Sequence, residues 1–448
     1  MPGMFHLAVF LPAETTFLDR GISFLGIPIL VGLAWLLSTN RKSISWKPVI
    51  WGVALQLIFG VIVLSPALQS FFSTIVDGGV RTLIGFSEEG ARFVFGSFIP
   101  HQIPAADGSG VPFNDDSPIL SFPLMNIAFW VLPTIVFFSA LMSVLYHVGV
   151  MQKLVYAVAW LMQRTMRTSG AESLSAAANI FVGQTEAPLV IGPFVKTMTR
   201  SELHAVMTGG FATVAGGVMA VYVGFLQNID GIAGHLVAAS IMSAPAALAI
   251  SKVMCPEDGT PVTAGLLDVN VPKSARNVLE AAANGAAEGT RLALNVAGML
   301  IAFVGLVAMV NFCLGVVPLP GGGQLSLELI LGWLFAPIAF IMGVPWAEAP
   351  TVGTLLGQKI VLTELYAYKQ LGNMVDAEVA VISERSSIIA SYALCGFANF
   401  ASIGIQLGGI GGLAPERMGD LSDLALRAMV AGSLAAFMTG TIAGVLIG

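Results

Sequence analysis

Charge is scarce in this chain of 448 residues, and its scarcity excludes several classes of protein. Asp, Glu, Lys and Arg make up 10% of the sequence, whereas an ordinary soluble domain carries about 25%. The net charge of −6 and the absence of a basic stripe argue against a protein that binds nucleic acid. Cysteine is also rare: the three cysteines lie in or beside apolar runs, so a disulfide framework is not expected.

Long apolar runs take the place of the missing charge. Hydrophobic residues make up 56% of the chain, and the mean hydropathy is +0.84. The 50 glycines and 23 prolines are typical of helices that break and pack closely within lipid. These features predict an all-α polytopic membrane protein with eight transmembrane helices plus two opposed re-entrant hairpins in an inverted repeat. The eight spans are expected at residues 21–37, 49–64, 125–148, 203–226, 232–252, 292–317, 388–410 and 424–447.

One polar stretch interrupts the apolar pattern at residues 179–188, Asn-Ile-Phe-Val-Gly-Gln-Thr-Glu-Ala-Pro. Its two apolar arms, 173–182 and 187–198, would each extend roughly 15–18 Å as helices, too short to cross a hydrocarbon core of ~30 Å. Cations flank both ends, which places both ends on the cytoplasmic side. We therefore predict a re-entrant hairpin that turns at residues 183–186, with an ordinary cytoplasmic helix-turn-helix as the alternative.

The order of these motifs repeats in the second half of the chain. The run at 183–186 precedes a glycine-rich stretch at 210–217, and Gly-Gln at 357–358 with Thr-Glu at 363–364 precedes another at 396–404. Paired interruptions in corresponding positions of two halves indicate the midplane binding site of a transporter. Chance similarity in a chain rich in glycine and alanine is the alternative.

The distribution of cations gives the repeat its orientation. Most of the 20 Lys and Arg residues fall on one side of the predicted spans, which the positive-inside rule makes cytoplasmic. The second hairpin, at 352–368, then enters from the opposite face, and both termini are expected in the periplasm. The amphipathic stretch at 71–118 suits an interfacial helix and an outer loop.

Polar side chains inside the membrane mark the candidate site. Carboxylates are costly there, so Glu186 and Glu364 are functional candidates; the alternative for Glu364 is a structural ion pair with Lys359. Three polar residues recur on one predicted helical face: Asn399, Ser402 and Gln406. Helix–helix hydrogen bonding could explain that face without a ligand. The set is rich in donors and acceptors but poor in net charge, which favours a neutral polyhydroxyl ligand with an amide-like ring over a dicarboxylate.

Three motifs in order resemble those of the concentrative nucleoside transporter family: Gly183-Gln-Thr-Glu-Ala-Pro188, Gly357-Gln-Lys…Thr-Glu364…Ala-Tyr368 and Ala398-Asn-Phe-Ala-Ser-Ile-Gly404. The resemblance extends from Leu18 to the C-terminus. It implies a multi-pass protein of the bacterial inner membrane that assembles as a homotrimer. It also implies elevator-type import of nucleosides such as uridine, driven by sodium or protons.

The resemblance further implies a role for individual residues. The residues that face the nucleobase would be Gln184, Thr185, Glu186 and Val218. The ribose would be held by Glu364, Asn399 and Ser402, with Phe397 close by. The sodium site would be formed by Asn179, Thr213 and the carbonyls of Val182 and Val214. One departure bears on substrate range and coupling ion, because Thr363-Glu364-Leu365 stands where the family reads Asn-Glu-Phe.

The same resemblance implies a division into scaffold and transport domains. Residues 1–164 would be mainly scaffold, and residues 165–253 would form the first half of the transport domain. Residues 254–342 would supply a cytoplasmic loop, a scaffold span and an extended segment. Residues 343–448 would form the second half of the transport domain.

Sodium is the favoured coupling ion, and no other cofactor is expected. Broken helices offer unpaired carbonyl oxygens, and no aspartate lies among the four proposed ligands. A proton would instead have to be carried by Glu186 or Glu364. Burial could shift the pKa of either carboxylate.

Two other classes of function are the alternatives to a transporter. An intramembrane enzyme is disfavoured because the sequence has neither a His-Glu-x-x-His motif nor a Gly-x-Ser-x-Gly elbow. A channel would conduct its solute without saturating or concentrating it.

Overall fold

The computed structural model describes residues 17–64, 78–95, 103–104, 110–111, 128–129, 132–265, 275–318, 324–377 and 381–447. The helices of the first half are α1 (Phe17–Leu36), α2 (Trp46–Leu64), α3 (Gly78–Phe95), α4 (Leu132–Val148), α5 (Val150–Met166), α6 (Gly170–Asn179), α7 (Ala187–Val190), α8 (Gly192–Val195), α9 (Arg200–Ala212), α10 (Gly216–Phe225) and α11 (Ile232–Met254). The helices of the second half are α12 (Val278–Leu314), α13 (Leu327–Ile341), α14 (Ala349–Val361), α15 (Glu364–Val375), α16 (Glu384–Leu394), α17 (Phe400–Leu413) and α18 (Met418–Leu446). A 3-10 turn at Pro415–Arg417 precedes α18, and two antiparallel strands, β1 (Ile103–Pro104) and β2 (Gly110–Val111), pair with each other.

The prediction of an all-α polytopic membrane protein is confirmed. Within the described residues, six helical segments are long and apolar enough to cross a bilayer, and the bent pair α4–α5 makes a possible seventh. The bend between α4 and α5 measures 79° and falls at Gly149, whose φ of 93° a residue with a side chain rarely adopts. The count of eight spans and the opposed hairpins stay predictions. Residues 125–127 and 130–131 of the expected third span, and most of the predicted interfacial stretch at 71–118 apart from residues 78–95, 103–104 and 110–111, lie outside the described residues.

Two of the predicted spans are broken where the sequence is rich in glycine and polar residues. The span at 203–226 divides into α9 and α10, and the span at 388–410 divides into α16 and α17. The two breaks meet: a Cβ built at Gly396, whose φ is 105°, would lie 2.6 Å from the carbonyl oxygen of Ala212. Only glycine permits that approach, so the glycine-rich motif fixes the contact between the two halves.

The buried core lies around α9, α10, α11 and α18. In the apolar parts of α9–α10 and of α11, 89% of residues are buried, compared with 6% in α12. The first two helices, predicted as scaffold, pack chiefly against this core, α1 on α18 and α2 on α11. At one close approach, a Cβ added to Gly52 would lie 2.6 Å from Cβ of Ala249. The division into scaffold and transport domains stays a prediction.

Helix α12 pairs with α4 along one side and is longer than the predicted span. It begins at Val278, after the Asn277 side chain accepts a hydrogen bond from the N–H of Glu280 (2.9 Å). At 37 residues it extends about 55 Å, which exceeds the thickness of a hydrocarbon core. Arg291, which directly precedes the span predicted at 292–317, therefore lies inside a continuous helix.

Candidate functional site

A cavity of about 870 Å³ lies between the turn that follows α6, the broken helices and α12. It is lined by all eight residues that the sequence predicted to contact substrate: Gln184, Thr185, Glu186, Val218, Glu364, Phe397, Asn399 and Ser402. Residues from four separate stretches of the chain thus converge on one space. Their individual roles stay predictions.

The first hairpin brings its polar residues to the cavity through a short turn. Helix α6 starts with a reciprocal capping box between Ser169 and Glu172. At the tip, the carbonyl of Gly183 accepts hydrogen bonds from the N–H groups of Glu186 (3.2 Å) and Ala187 (3.1 Å). The predicted turn at 183–186 is therefore present. A side chain at Gly183 would overlap Oε2 of Glu186, so glycine leaves room for that carboxylate.

Glu364 in the second hairpin is held at both carboxylate oxygens. The hydroxyl of Tyr222 donates to Oε1 and the amide of Asn399 donates to Oε2, each at 2.9 Å. Asn399 in turn accepts the N–H of Ser402 (2.9 Å) and so caps α17. Glu364 is 4% exposed. Two bonded oxygens retain further lone pairs that can accept hydroxyl hydrogens from a ligand.

Tyr222 belongs to this site, although sequence reasoning gave it no role. Its ring stacks on Tyr368 with the centroids 4.1 Å apart, and Tyr368 donates to the carbonyl of Ser391 (2.6 Å). Tyr368 stands in one of the family motifs, but Tyr222 lies in an apolar run that reads as packing. Its only sequence signal is a hydroxyl in an otherwise apolar segment, since a buried Tyr hydroxyl needs a partner.

Gln184 joins the first hairpin to α17. Its amide donates to Oγ of Ser402 (3.2 Å), and its carbonyl oxygen accepts from the Gln406 amide (3.0 Å), which also donates to the carbonyl of Met207 (3.1 Å). The predicted helical face is correct for Ser402 and Gln406. It is wrong for Asn399, which precedes α17 as its N-cap because its side chain competes for the first free N–H groups.

Lys359 does not form the ion pair with Glu364 that the sequence left open. Its ammonium group donates to the carbonyls of Ala393 and Cys395, each at 3.0 Å, and within the described residues it has no carboxylate within salt-bridge distance. Those carbonyls lie at the C-terminal end of α16, where the helix dipole favours a cation. The fully buried lysine therefore caps the C-terminal end of α16. It does not pair with the carboxylate of Glu364, which lines the cavity.

The four predicted sodium ligands lie beside the cavity, at the end of α6 and in the break after α9. Asn179 is 1% exposed, and neither amide atom has a hydrogen-bond partner among the described residues. Thr213 ends α9 in an extended conformation and donates its hydroxyl to the carbonyl of Gly209 (2.8 Å), which leaves its oxygen free to accept. Val182 and Val214 lie outside the helices, so their backbone carbonyls are at positions of irregular backbone. An unpartnered buried amide next to a broken helix fits an oxygen site for a monovalent cation.

Glu186 differs from Glu364 in its surroundings. Its Oε2 atom is buried and has no hydrogen-bond partner within the part of the chain that the structure describes. A buried carboxylate oxygen without a partner is unfavourable unless a ligand, a cation or a proton completes it.

The opposite wall of the cavity belongs to α12. It carries Glu288, Arg291 and Asn295 alongside Leu292 and Met299. No role for these polar residues was predicted from the sequence, although their spacing of three and four residues indicates that they share one face of a helix.

The base of the first hairpin is tied to α11 by a buried ion cluster. The ammonium group of Lys252 lies 2.7 Å from Glu172 and 3.2 Å from Glu257, and it donates to Oγ of Ser201 (3.0 Å). The hydroxyl of Ser169 donates to Glu202 at 2.6 Å.

Models of known families match most of the chain. Residues 235–444 match the model described as Na+ dependent nucleoside transporter C-terminus, and residues 25–98 match its N-terminus counterpart. Residues 128–228 match a model named Gate and described as nucleoside recognition.

Several similar proteins cover nearly the whole chain. An uncharacterized transporter of Haemophilus influenzae is 43% identical over 95% of this chain and 97% of its own length. Sodium/nucleoside cotransporter 1 of Sus scrofa is 39% identical over 96% of this chain, which spans 64% of that relative's length. Solute carrier family 28 member 3 of Mus musculus is 40% identical over 95% of this chain, which spans 58% of that relative's length.

Two solved structures of one transporter have the same fold as this chain. CNTnw in an inward-facing substrate-bound state superposes with a TM-score of 0.85 at 41% identity, covering 97% of this chain and 100% of the other. A CNTnw variant in an outward-facing state gives a TM-score of 0.83 at 40% identity, with coverages of 95% and 97%.

Proposed function

We propose that this chain, which belongs to the Na+-dependent nucleoside transporter family, imports nucleosides across a cell membrane together with sodium. The family consists of transporters and not of enzymes. The observation that carries the proposal is the convergence of the eight predicted residues on one cavity, with Glu364 oriented by Tyr222 and Asn399.

The polar groups around the cavity suit the two ends of a nucleoside. Glu364, Asn399 and Ser402 offer acceptors and donors to the ribose hydroxyls, with Phe397 beside the sugar. Gln184, Thr185 and Glu186 offer the same to the heteroatoms of the base, and Val218 adds an apolar contact. The volume of about 870 Å³ falls within the usual range of small-molecule sites.

Sodium is the proposed coupling ion, with Asn179, Thr213 and the carbonyls of Val182 and Val214 as its ligands. The unpartnered amide of Asn179 supports this site. Binding of sodium there would order the tip of the first hairpin, which carries the proposed base-binding residues, and so couple the two ligands. Proton coupling is the second candidate, favoured by the buried Oε2 of Glu186, which has no partner among the described residues.

Transport is proposed to follow an elevator mechanism. The α4–α12 pair would form the stationary wall, and the hairpins with their cavity would move past it. The solved inward-facing and outward-facing states of CNTnw support such alternation. The proposal includes a homotrimer in the inner membrane with both termini in the periplasm, although residues 1–16 lie outside the described residues.

Counterflow in proteoliposomes tests nucleoside carriage. Vesicles loaded with unlabelled uridine should transiently accumulate labelled uridine above its external concentration, because a carrier exchanges the two. A channel would only equilibrate the label, and an enzyme would change its chemical identity. Either of those results would contradict the proposed function.

A further inference from the structure

The wall of the cavity formed by α12 carries polar side chains for which the proposed function has no use. Glu288, Arg291 and Asn295 line the cavity. At 3.6 residues per turn they fall within about 60° of one another around the helix axis. We call these three residues the α12 stripe.

The packing of α12 on α4 fixes the direction of this stripe. A Cβ at Gly285 would lie 2.6 Å from the carbonyl oxygen of Ser139, and a Cβ at Gly289 would lie 2.8 Å from Cβ of Ser139. The hydroxyl of Ser143 also donates to the carbonyl of Ala281 (2.7 Å). The glycine face of α12 is therefore packed against α4, and this packing directs the stripe at the cavity in this structure.

The charges of the stripe have no salt-bridge partner among the described residues. Glu288 and Arg291 are both exposed on α12. Both residues lie in the polar first half of α12, just before the apolar part of the helix, which has a mean hydropathy of 2.3. Ionisable residues next to a membrane-spanning segment are tolerated where they face a wet cavity, and there they mark the path of a solute.

The position of the stripe identifies the part of the solute that it meets. The contacts of α4 place the stripe near the first hairpin. A Cβ at Gly217 of α10 would lie 3.3 Å from Cβ of Phe138, the neighbour of the Ser139 that packs on α12, and a Cβ at Gly216 would lie 3.1 Å from the carbonyl oxygen of Phe181 in the first hairpin. The stripe therefore faces the end of the cavity proposed for the nucleobase. A guanidinium offers paired N–H donors to a carbonyl oxygen or ring nitrogen, and a carboxylate accepts from an exocyclic amino group. An amide can do either.

We propose that the α12 stripe reads the edge of the nucleobase from the wall opposite the hairpins. Arg291 favours bases with a carbonyl at the exocyclic position, Glu288 favours bases with an amino group there, and Asn295 contacts both kinds. This inference rests on the proposed function, since it requires that nucleosides enter the cavity.

Two matched pairs of nucleosides test the proposal in proteoliposomes that contain the full chain. Uridine differs from cytidine, and inosine from adenosine, in having a carbonyl in place of the exocyclic amino group. For each pair we compare the uptake efficiency of the nucleoside with the carbonyl to that of the nucleoside with the amino group. Arg291→Gln should lower this ratio about tenfold in both pairs, and Glu288→Gln should raise it. Asn295→Ala should raise KM for all four, whereas Asn284→Ala should not, because Asn284 is exposed on α12 but does not line the cavity.

Ratios that stay within about twofold of the wild type in both charge variants would overturn the inference while leaving nucleoside transport intact. A wild-type protein that carries none of the four nucleosides would overturn the proposed function and this inference with it. If Arg291→Gln does not reach the membrane, Arg291→Lys serves in its place. It keeps the charge but loses the paired donors, and it should shift the ratios in the same direction by a smaller factor.

Discussion

The glutamates of the two hairpins differ in how their carboxylates are satisfied. In the second hairpin, both carboxylate oxygens of Glu364 accept hydrogen bonds, one from Tyr222 and one from Asn399 at the start of α17. In the first, both amide atoms of Asn179 and Oε2 of Glu186 are buried without a partner among the described residues. A group already bonded is held in place before the ligand arrives. A buried group left open gains most from a ligand or an ion, and the first hairpin is therefore where coupling to a cation is expected.

The same contrast separates the two buried lysines. Lys252, at the base of the first hairpin, neutralises carboxylates, whereas Lys359, in the second, bonds only to backbone carbonyls among the described residues. Removing the first leaves buried charges behind, and removing the second leaves neutral acceptors. The two positions should thus respond differently to the same substitution.

The largest effect is expected for Lys252→Met. It leaves the carboxylate of Glu172 buried without its cation, which costs about 3–5 kcal/mol of folding stability. The apparent melting temperature in detergent should fall clearly further than for Lys359→Met, the matched control. Equal losses in the two variants would show that the contrast between the lysines has no energetic meaning.

Glu364→Gln should come next and should act on transport without unfolding the protein. The amide keeps the shape but loses the charge that strengthens hydrogen bonds from ribose hydroxyls. We expect uridine uptake efficiency to fall by about two orders of magnitude, since each charge-assisted bond contributes about 1.5–3 kcal/mol. Undiminished uptake by a well-expressed variant would remove Glu364 from the site.

Asn179→Ala and Thr213→Ala should have an intermediate and selective effect. Each removes one proposed sodium ligand, so the sodium concentration for half-maximal uptake should rise about tenfold, corresponding to 1.4 kcal/mol. KM for uridine at saturating sodium should change much less. Thr208→Ala is the matched control, because among the described residues this buried threonine on α9 bonds only to the carbonyl and ring of His204, one turn away. A rise in the uridine KM with unaltered sodium dependence would contradict the assignment.

The smallest effect is expected for Tyr222→Phe. The ring and its stacking on Tyr368 remain, but Glu364 loses one donor and becomes less well oriented, at a cost of about 1 kcal/mol. KM for uridine should rise severalfold while sodium dependence stays the same. Tyr392→Phe, whose hydroxyl bonds to His235 away from the cavity, is the control. If both variants behave alike, Tyr222 has no special role in the site.

The sequence predicted the parts of this arrangement that short-range patterns determine. The turn at 183–186 and the glycine-rich breaks of the two spans follow from local polarity and glycine content. Glu186 and Glu364 stood out because carboxylates in apolar runs are costly.

The parts that were missed depend on contacts between distant segments. The hydrogen bond from Tyr222 to Glu364 joins residues 142 positions apart, and the apolar run around Tyr222 does not predict that partner. Lys359 precedes the carboxylate of Glu364 by five residues, but it donates to carbonyls at the C-terminal end of α16 because α14 packs on α16. The α12 stripe was missed because the start of α12 is polar, so the predicted span begins only at residue 292 and leaves Glu288 and Arg291 outside it.

Uridine accumulation in proteoliposomes under imposed ion gradients tests the central claim most directly. An inward sodium gradient at equal pH on both sides should drive uridine above its external concentration, and collapsing that gradient should abolish the accumulation. Accumulation that follows an imposed pH gradient and ignores sodium would contradict sodium coupling, and would assign the coupling role to Glu186.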